Sequence, residues 1–146
     1  MKGVPTDMKG VVLLVGSGGR EHALALSLAA SPSVTALLVA PGNAGTGSTP
    51  KARNITLPLD DHKAVVEACR EQRVDLVVVG PEDPLAAGLA NALKAADIKV
   101  FGPSKEAARI ESDKAWAKTF MDKYDIPTAV HQTFTSPGEA KEFIKK

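Results

Sequence analysis

Short aliphatic runs alternate along this chain with stretches whose apolar positions recur at helical spacing. Residues 11–15, VVLLV, are unbroken by any polar side chain, the mark of a strand buried on both faces. The turn GSGG follows, and then residues 21–30, rich in Ala and Leu, with Leu24, Ala25 and Leu28 on one helix face. Ser31-Pro32 closes that helix, because the residue before a proline avoids helical backbone. A second strand over residues 36–40 runs into PGNAGTGSTP, whose small, hydroxylated and Gly/Pro residues predict a loop. Residues 55–59 predict a short strand, and Asp60 or Asp61 caps a helix carrying Val65, Val66 and Cys69. Residues 76–79 form a further strand, GPEDP leads into a helix over residues 85–96, and residues 99–101 give a last short strand before Gly102-Pro103.

Strand and helix in regular succession predict an α/β fold: a Rossmann-like parallel sheet with helices on both faces. Residues 104–124 read as two helical pieces meeting near Ser112-Asp113, where the composition shifts toward Lys and a domain boundary near residue 110 is expected. Beyond Ile126-Pro127, residues 129–134 predict a strand, and Ser136, Pro137 and Glu139 a helix start with capping-box spacing. The expected division is a flexible extension over residues 1–10, a substrate-binding domain over 11–110, and the truncated opening of a second domain over 111–146. A lone βα unit has no sheet on which to bury its apolar face, which is why the last part reads as incomplete.

Composition narrows the chemistry. Eighteen Lys and Arg against seventeen Asp and Glu leave a net charge of +1, so no broad positive field points to a nucleic-acid partner. The longest apolar run is far shorter than the ~20 residues of a membrane span, and the opening MKGVPTDMKG lacks a hydrophobic signal core. With a single cysteine, Cys69, there is no internal disulfide and no thiolate metal cluster, so a cytoplasmic location is expected and Cys69 reads as a small apolar helix residue.

Ligands of parallel sheets bind beyond the carboxyl ends of the strands, where GSGGREH, PGNAGT and GPEDP all fall. In the first, Gly16, Gly18 and Gly19 allow close backbone approach, and a helix start with free N–H groups favours an anion. A dinucleotide fingerprint would need a third glycine where Glu21 stands, and an acid after the second strand where Leu37 to Ala40 stand. A Walker loop would need Gly-Lys-Ser/Thr. A sugar phosphate fits better, with Arg20 as a bidentate partner or as a surface ion pair with Glu21. Glu21 also suits the helix dipole, and His22 reads as a packed or capping residue before a general base. In the second motif, Pro41, Gly42, Asn43, Gly45 and Thr46 offer tight backbone approach with amide and hydroxyl partners. In the third, Gly80 and Pro81 turn the chain, and Glu82 or Asp83 could meet ribose hydroxyls or an amine, or simply cap the next helix. Lys105, Lys114, Lys118 and Lys123 read as a solvated face, and Trp116 with Phe120 as core.

Together, VLLVGSGGREHALA, VAPGNAGT, DLVVVGPEDPLAAGLA, FGPSKEAARIESDKAWAKTFM and DIPTA closely resemble the start of the glycinamide ribonucleotide synthetase family, the phosphoribosylamine–glycine ligases of the ATP-grasp superfamily. The resemblance runs from about Val11 to Phe134 and departs in small ways, such as Leu26 where many relatives carry Trp. It implies ligation of glycine to phosphoribosylamine, driven by ATP and magnesium, in purine biosynthesis. It also implies a pre-ATP-grasp domain in which Gly16, Gly18, Gly19, Arg20 and Glu21 face the ribose phosphate, with Asn43 and Glu82 nearby. Lys114, in the family's SDK position, becomes an ATP-contacting lysine. The magnesium ligands and the rest of the ATP-grasp domain are expected outside this chain, which alone would bind substrate without turnover. Covalent fusion to later purine-pathway domains is a further expectation, since animal relatives are multifunctional. Another ATP-grasp carboxylate-amine ligase, or a non-catalytic nucleotide-binding module, remains an alternative.

Overall fold

The computed structural model describes residues 9–145. Most of the expected extension over 1–10 lies outside these residues, while Gly10 already belongs to the first strand.

Five strands, β1 (Gly10–Gly16), β2 (Val34–Pro41), β3 (Ala52–Asn54), β4 (Val74–Val79) and β5 (Val100–Phe101), form one parallel sheet in the order β3-β2-β1-β4-β5. The helices that connect them are α1 (Gly19–Ala30), α2 (Ala44–Gly47), α3 (His62–Glu71), α4 (Glu82–Ala87) and α5 (Leu89–Ala95). Within each apolar run the side chains divide by the two-residue period of a strand. Val12 and Leu14, Leu37 and Val39, and Val78 pack with Ala25 on the α1 face. Leu13 and Val15, Leu38 and Ala40, and Val77 and Val79 pack on the other face with Val65, Cys69, Leu89 and Leu93 from α3 and α5. A sheet covered on both faces needs apolar residues at every position, which is why the runs are continuous.

Strand order reverses beside β1: the chain first builds outward through β2 and β3, then crosses to β4 and β5. The loops after β1 and β4 therefore leave in opposite directions and open a crevice at the carboxyl ends of neighbouring strands. This topology positions the site.

Several expectations change. The third strand lies at Ala52–Asn54 and not at residues 55–59. There Ile55 N–H donates to Val39 O, and the next donor on β2 would be Pro41, which has no N–H to continue the ladder. Ile55, Leu57 and Leu59 still pack on the core from irregular backbone. The loop 41–50 contains a short helix, α2, whose first turn is capped by Asn43 accepting from Thr46 N–H. The helix expected over 85–96 begins at Glu82 and breaks at Gly88, whose φ of 103° is left-handed. Of the two candidate caps before α3, Asp61 serves, accepting from the N–H groups of Lys63 and Ala64.

Contacts divide the chain into two compact units, one up to Ala108 and one from Arg109. α6 (Lys105–Ser112) spans the division; α7 (Lys114–Lys123), capped by Asp113, and α8 (Pro137–Ile144) belong to the second unit. Residues 129–134 are irregular rather than a strand, with Val130 98% exposed. Among the described residues no strand pairs with this segment, so its backbone groups find other partners, such as Lys118 Nζ on Ala129 O. Ser136 precedes α8, but its side chain makes no capping bond. Trp116 and Phe120 stack at 5.2 Å between ring centres, half-buried, in line with a packing role.

Candidate functional site

GSGGREH, PGNAGT and GPEDP meet at the carboxyl edge of the sheet, and backbone bonds tie them together. Gly42 N–H donates to Gly16 O and Gly80 N–H to Val15 O. Glu21 sits between them. It is 2% exposed, and its Oε2 accepts from Gly18 N–H at 2.7 Å while Oε1 accepts from Arg20 Nε at 2.9 Å. The space for this carboxylate exists because positions 16 and 80 are glycines. A Cβ on Gly16 would stand 2.5 Å from Glu21 Cγ, and one on Gly80 would overlap Oε1. The residue that replaces the third glycine of a dinucleotide fingerprint is thus an internal wedge between two loops. Its side chain is buried against these two glycines, where the resemblance implies a residue facing the ribose phosphate.

What the turn does offer is a set of donors. Gly18 has no side chain with which to cap α1, and the backbone N–H groups of Gly19, Arg20 and Glu21 have no partner among the described residues. A Cβ on Gly19 would meet nothing within 4 Å, so this turn faces open space. Unpaired N–H groups at the start of a helix attract an anion. The Arg20 side chain is 53% exposed, with Nη2 3.6 Å from Glu82 Oε2. The hydrogen bond to Glu21 above all, and then Glu82, hold its guanidinium even more firmly protonated than usual. Nε and Nη2 are engaged by carboxylates, which leaves guanidinium donors over for a ligand oxygen.

Asn43 fixes the second motif against the first. Its Nδ2 donates to Ser17 O at 2.8 Å and to Gly18 O at 3.2 Å. Thr46 is fully buried; its hydroxyl accepts from Asn43 N–H and sits 2.8 Å from Asn54 Oδ1, so it supports the loop from within. Gly45 is small because the His22 ring lies against it, 2.6 Å from where a Cβ would stand. His22 is therefore a packing residue between the first two motifs. Pro41, joined to Ala40 by a cis peptide bond, is exposed, Gly42 takes a φ of 73°, and Pro81 precedes α4 as its N-cap. Glu82 opens α4 and reaches Arg20, whereas Asp83 points to solvent.

Asn54 was invisible to motif reading, although an Asn ending a strand is out of character for one. Lys114 is exposed on the first turn of α7 in the second unit. Among the described residues no group of three or more His, Cys, Asp or Glu could hold a metal ion, and no helix is long and apolar enough to cross a membrane. An apolar cavity of about 780 Å³, lined by Leu24, Leu28, Leu76, Val78 and Phe101, lies on the α1 face toward the amino ends of the strands, away from the three motifs.

Residues 10–111 match the family described as phosphoribosylglycinamide synthetase, N domain. The chain belongs to that family. It is 52% identical over 133 residues to the human trifunctional purine biosynthetic protein adenosine-3, covering 91% of this chain and 13% of that protein. It is 50% identical over 135 residues to the phosphoribosylamine–glycine ligase of Neisseria meningitidis serogroup B, covering 92% of this chain and 31% of the ligase. The crystal structure of phosphoribosylamine–glycine ligase from Thermotoga maritima superposes with a TM-score of 0.61 at 32% identity, covering 92% of this chain and 30% of that one. The chain thus spans about a third of the length of the ligases it matches, and its parallel α/β sheet is the phosphoribosylglycinamide synthetase N domain.

Proposed function

We propose that this chain is the phosphoribosyl-binding part of an ATP-dependent ligase that joins glycine to 5-phosphoribosylamine, giving glycinamide ribonucleotide, ADP and phosphate in purine biosynthesis. The observation that carries the reading is the turn between β1 and α1, where the unpaired N–H groups of Gly19 and Arg20 adjoin open space and the Arg20 side chain is exposed, in a member of this family. The ribose 5-phosphate group binds there, its phosphate on the N–H groups of Gly19 and Arg20 and on the free guanidinium donors. Asn43 holds the turn, and Glu82, at the rim beside Arg20, is within the reach of the sugar hydroxyls or the amine. Pro41, Gly42, Gly45, Thr46, Gly80, Pro81, Gly16, Gly18 and Glu21 shape the three loops rather than touch the phosphate with side chains.

ATP with magnesium supplies the activation of the glycine carboxylate as an acyl phosphate. Of the groups that would hold them, this chain would provide Lys114 toward ATP, and the magnesium ligands are expected outside it. The boundary near residue 110, the opening of the ATP-grasp domain after it, and a cytoplasmic location belong to the same reading. Fusion to other purine-pathway domains, the arrangement of the human relative's trifunctional chain, is compatible with it.

The reading is tested on the full-length protein by ADP release. Release that requires phosphoribosylamine and glycine together is expected, and release with another amine or acid in their absence would move the assignment to a different ligase. The 146-residue chain alone is expected to bind ribose 5-phosphate without releasing ADP. Thermal protection by NAD but not by ribose 5-phosphate would overturn the site.

A further inference from the structure

Asn54, the last residue of β3, lies outside the three motifs, yet its side chain reaches into PGNAGT. Nδ2 donates to Asn43 O at 2.7 Å, and Oδ1 accepts from the Thr46 hydroxyl at 2.8 Å. The orientation of the amide is fixed by chemistry: the Asn43 carbonyl can only accept, so the nitrogen must face it. Thr46 Oγ1 already accepts from Asn43 N–H at 2.7 Å, and its single proton is shared between two acceptors, Asn54 Oδ1 at 2.8 Å and Asn43 O at 2.9 Å.

The loop is built around this side chain. A Cβ on Gly42 would overlap Asn54 Oδ1, and one on Gly47 would stand 3.2 Å from its Nδ2. Held in this way from below, Asn43 directs its own Nδ2 to Ser17 O and Gly18 O, the carbonyls on the back of the anion-facing turn. A continuous set of hydrogen bonds therefore runs from the edge strand of the sheet to the glycine turn. Asn54 is exposed, so little packing depends on it.

We propose that Asn54 is a positioning residue of the phosphoribosyl site, acting through Asn43 to hold the glycine turn in its ligand-binding shape. This rests on the reading that the turn takes the ribose phosphate.

The test is calorimetric titration of ribose 5-phosphate into the full chain and its variants. Asn54→Ala is expected to weaken binding about tenfold, the equivalent of its two hydrogen bonds. Its thermal midpoint should fall by a few degrees and no more, since the side chain is exposed but its two hydrogen bonds are lost. Asn43→Ala should weaken binding similarly, and the double variant no further, because a residue that acts through another shows no effect once the other is gone. Asn54→Asp keeps the shape but turns an oxygen toward the Asn43 carbonyl, and is expected to bind no better than Asn54→Ala. Rescue by Asp would reduce Asn54 to a space-filler and overturn the proposal. So would unchanged affinity in Asn54→Ala while Arg20→Ala loses at least tenfold, or fully additive losses in the double variant. If Arg20→Ala also leaves affinity unchanged, the site reading itself fails and this proposal with it.

Discussion

The carboxylate of Glu21 occupies the space that any side chain on Gly80 would need: an added Cβ would overlap Oε1 and stand 2.8 Å from Cδ. Glu21 cannot swing aside freely, since it is 2% exposed and bonded to Gly18 N–H and to Arg20. Gly80→Ala is therefore expected to destabilise the chain by about 1–3 kcal/mol, the usual cost of overpacking. Removing the wedge in the same molecule, as Gly80→Ala with Glu21→Ala, should cost less than the two changes summed. Urea unfolding of the four chains measures this, and strict additivity would mean that the two residues do not compete for space.

In the proposed site, Arg20 is expected to set the affinity for the phosphate. Arg20→Ala is expected to weaken ribose 5-phosphate binding by about ten- to a hundredfold, the range for hydrogen bonds to charged groups. Arg20→Lys should recover only part, because an ammonium keeps the charge but loses the planar fork. Titrations at low and high salt would show the dependence on ionic strength shrinking in Arg20→Ala.

Cys69 gives an alkaline signature. It is buried against the sheet, and desolvation pushes its thiol from the ordinary 9.0 up to about 11. Below pH 9 the thiol is neutral in both folded and unfolded chains, so its contribution is fully present. Between 9 and about 11 only the unfolded chain loses the proton, so stability falls as pH rises, by about 2–3 kcal/mol across that window. Cys69→Ala starts less stable but should lose less over the same range. Equal alkaline slopes in urea melts would contradict the burial of this thiol.

At the start of α7, Asp113 accepts from Trp116 N–H and from Arg109, and the first of these above all holds its carboxyl below the ordinary 3.8. Its contribution is present above 3.8 and is lost as pH falls through the lower folded value. Asp113→Asn retains a capping side chain without the charge, so acid sensitivity should flatten while the neutral-pH midpoint drops by at most a few degrees. Circular dichroism melts across the acid range would reveal a slope identical to the parent if the carboxylate played no part.

The sheet was readable in the sequence because burial on both faces leaves residues such as Leu13 and Leu14 no polar neighbours in the chain. The three motifs were readable because glycines after strands have few other reasons to be there. The short strand at Ala52–Asn54 was not, because its existence depends on where β2 stops, not on its own side chains. Residues 129–134 have strand-like composition, but pairing needs a partner strand and none of the described residues provides one. Within the site, the motif showed that position 21 was unusual; only the geometry showed its carboxylate pointing inward between Gly16 and Gly80. Asn54 left no local trace, since its partners, Asn43 and Thr46, are eleven and eight residues away along the chain.

The wedge also limits how this binding turn could be reused. Grafted alone onto another parallel sheet, GSGGREH would bring a carboxylate with no cavity to enter, because half of that cavity is the missing side chain of Gly80. The recognisable motif is thus not the portable unit. A designer would have to transplant the ends of β1 and β4 together, and a lineage that altered one glycine would have to alter the acid as well.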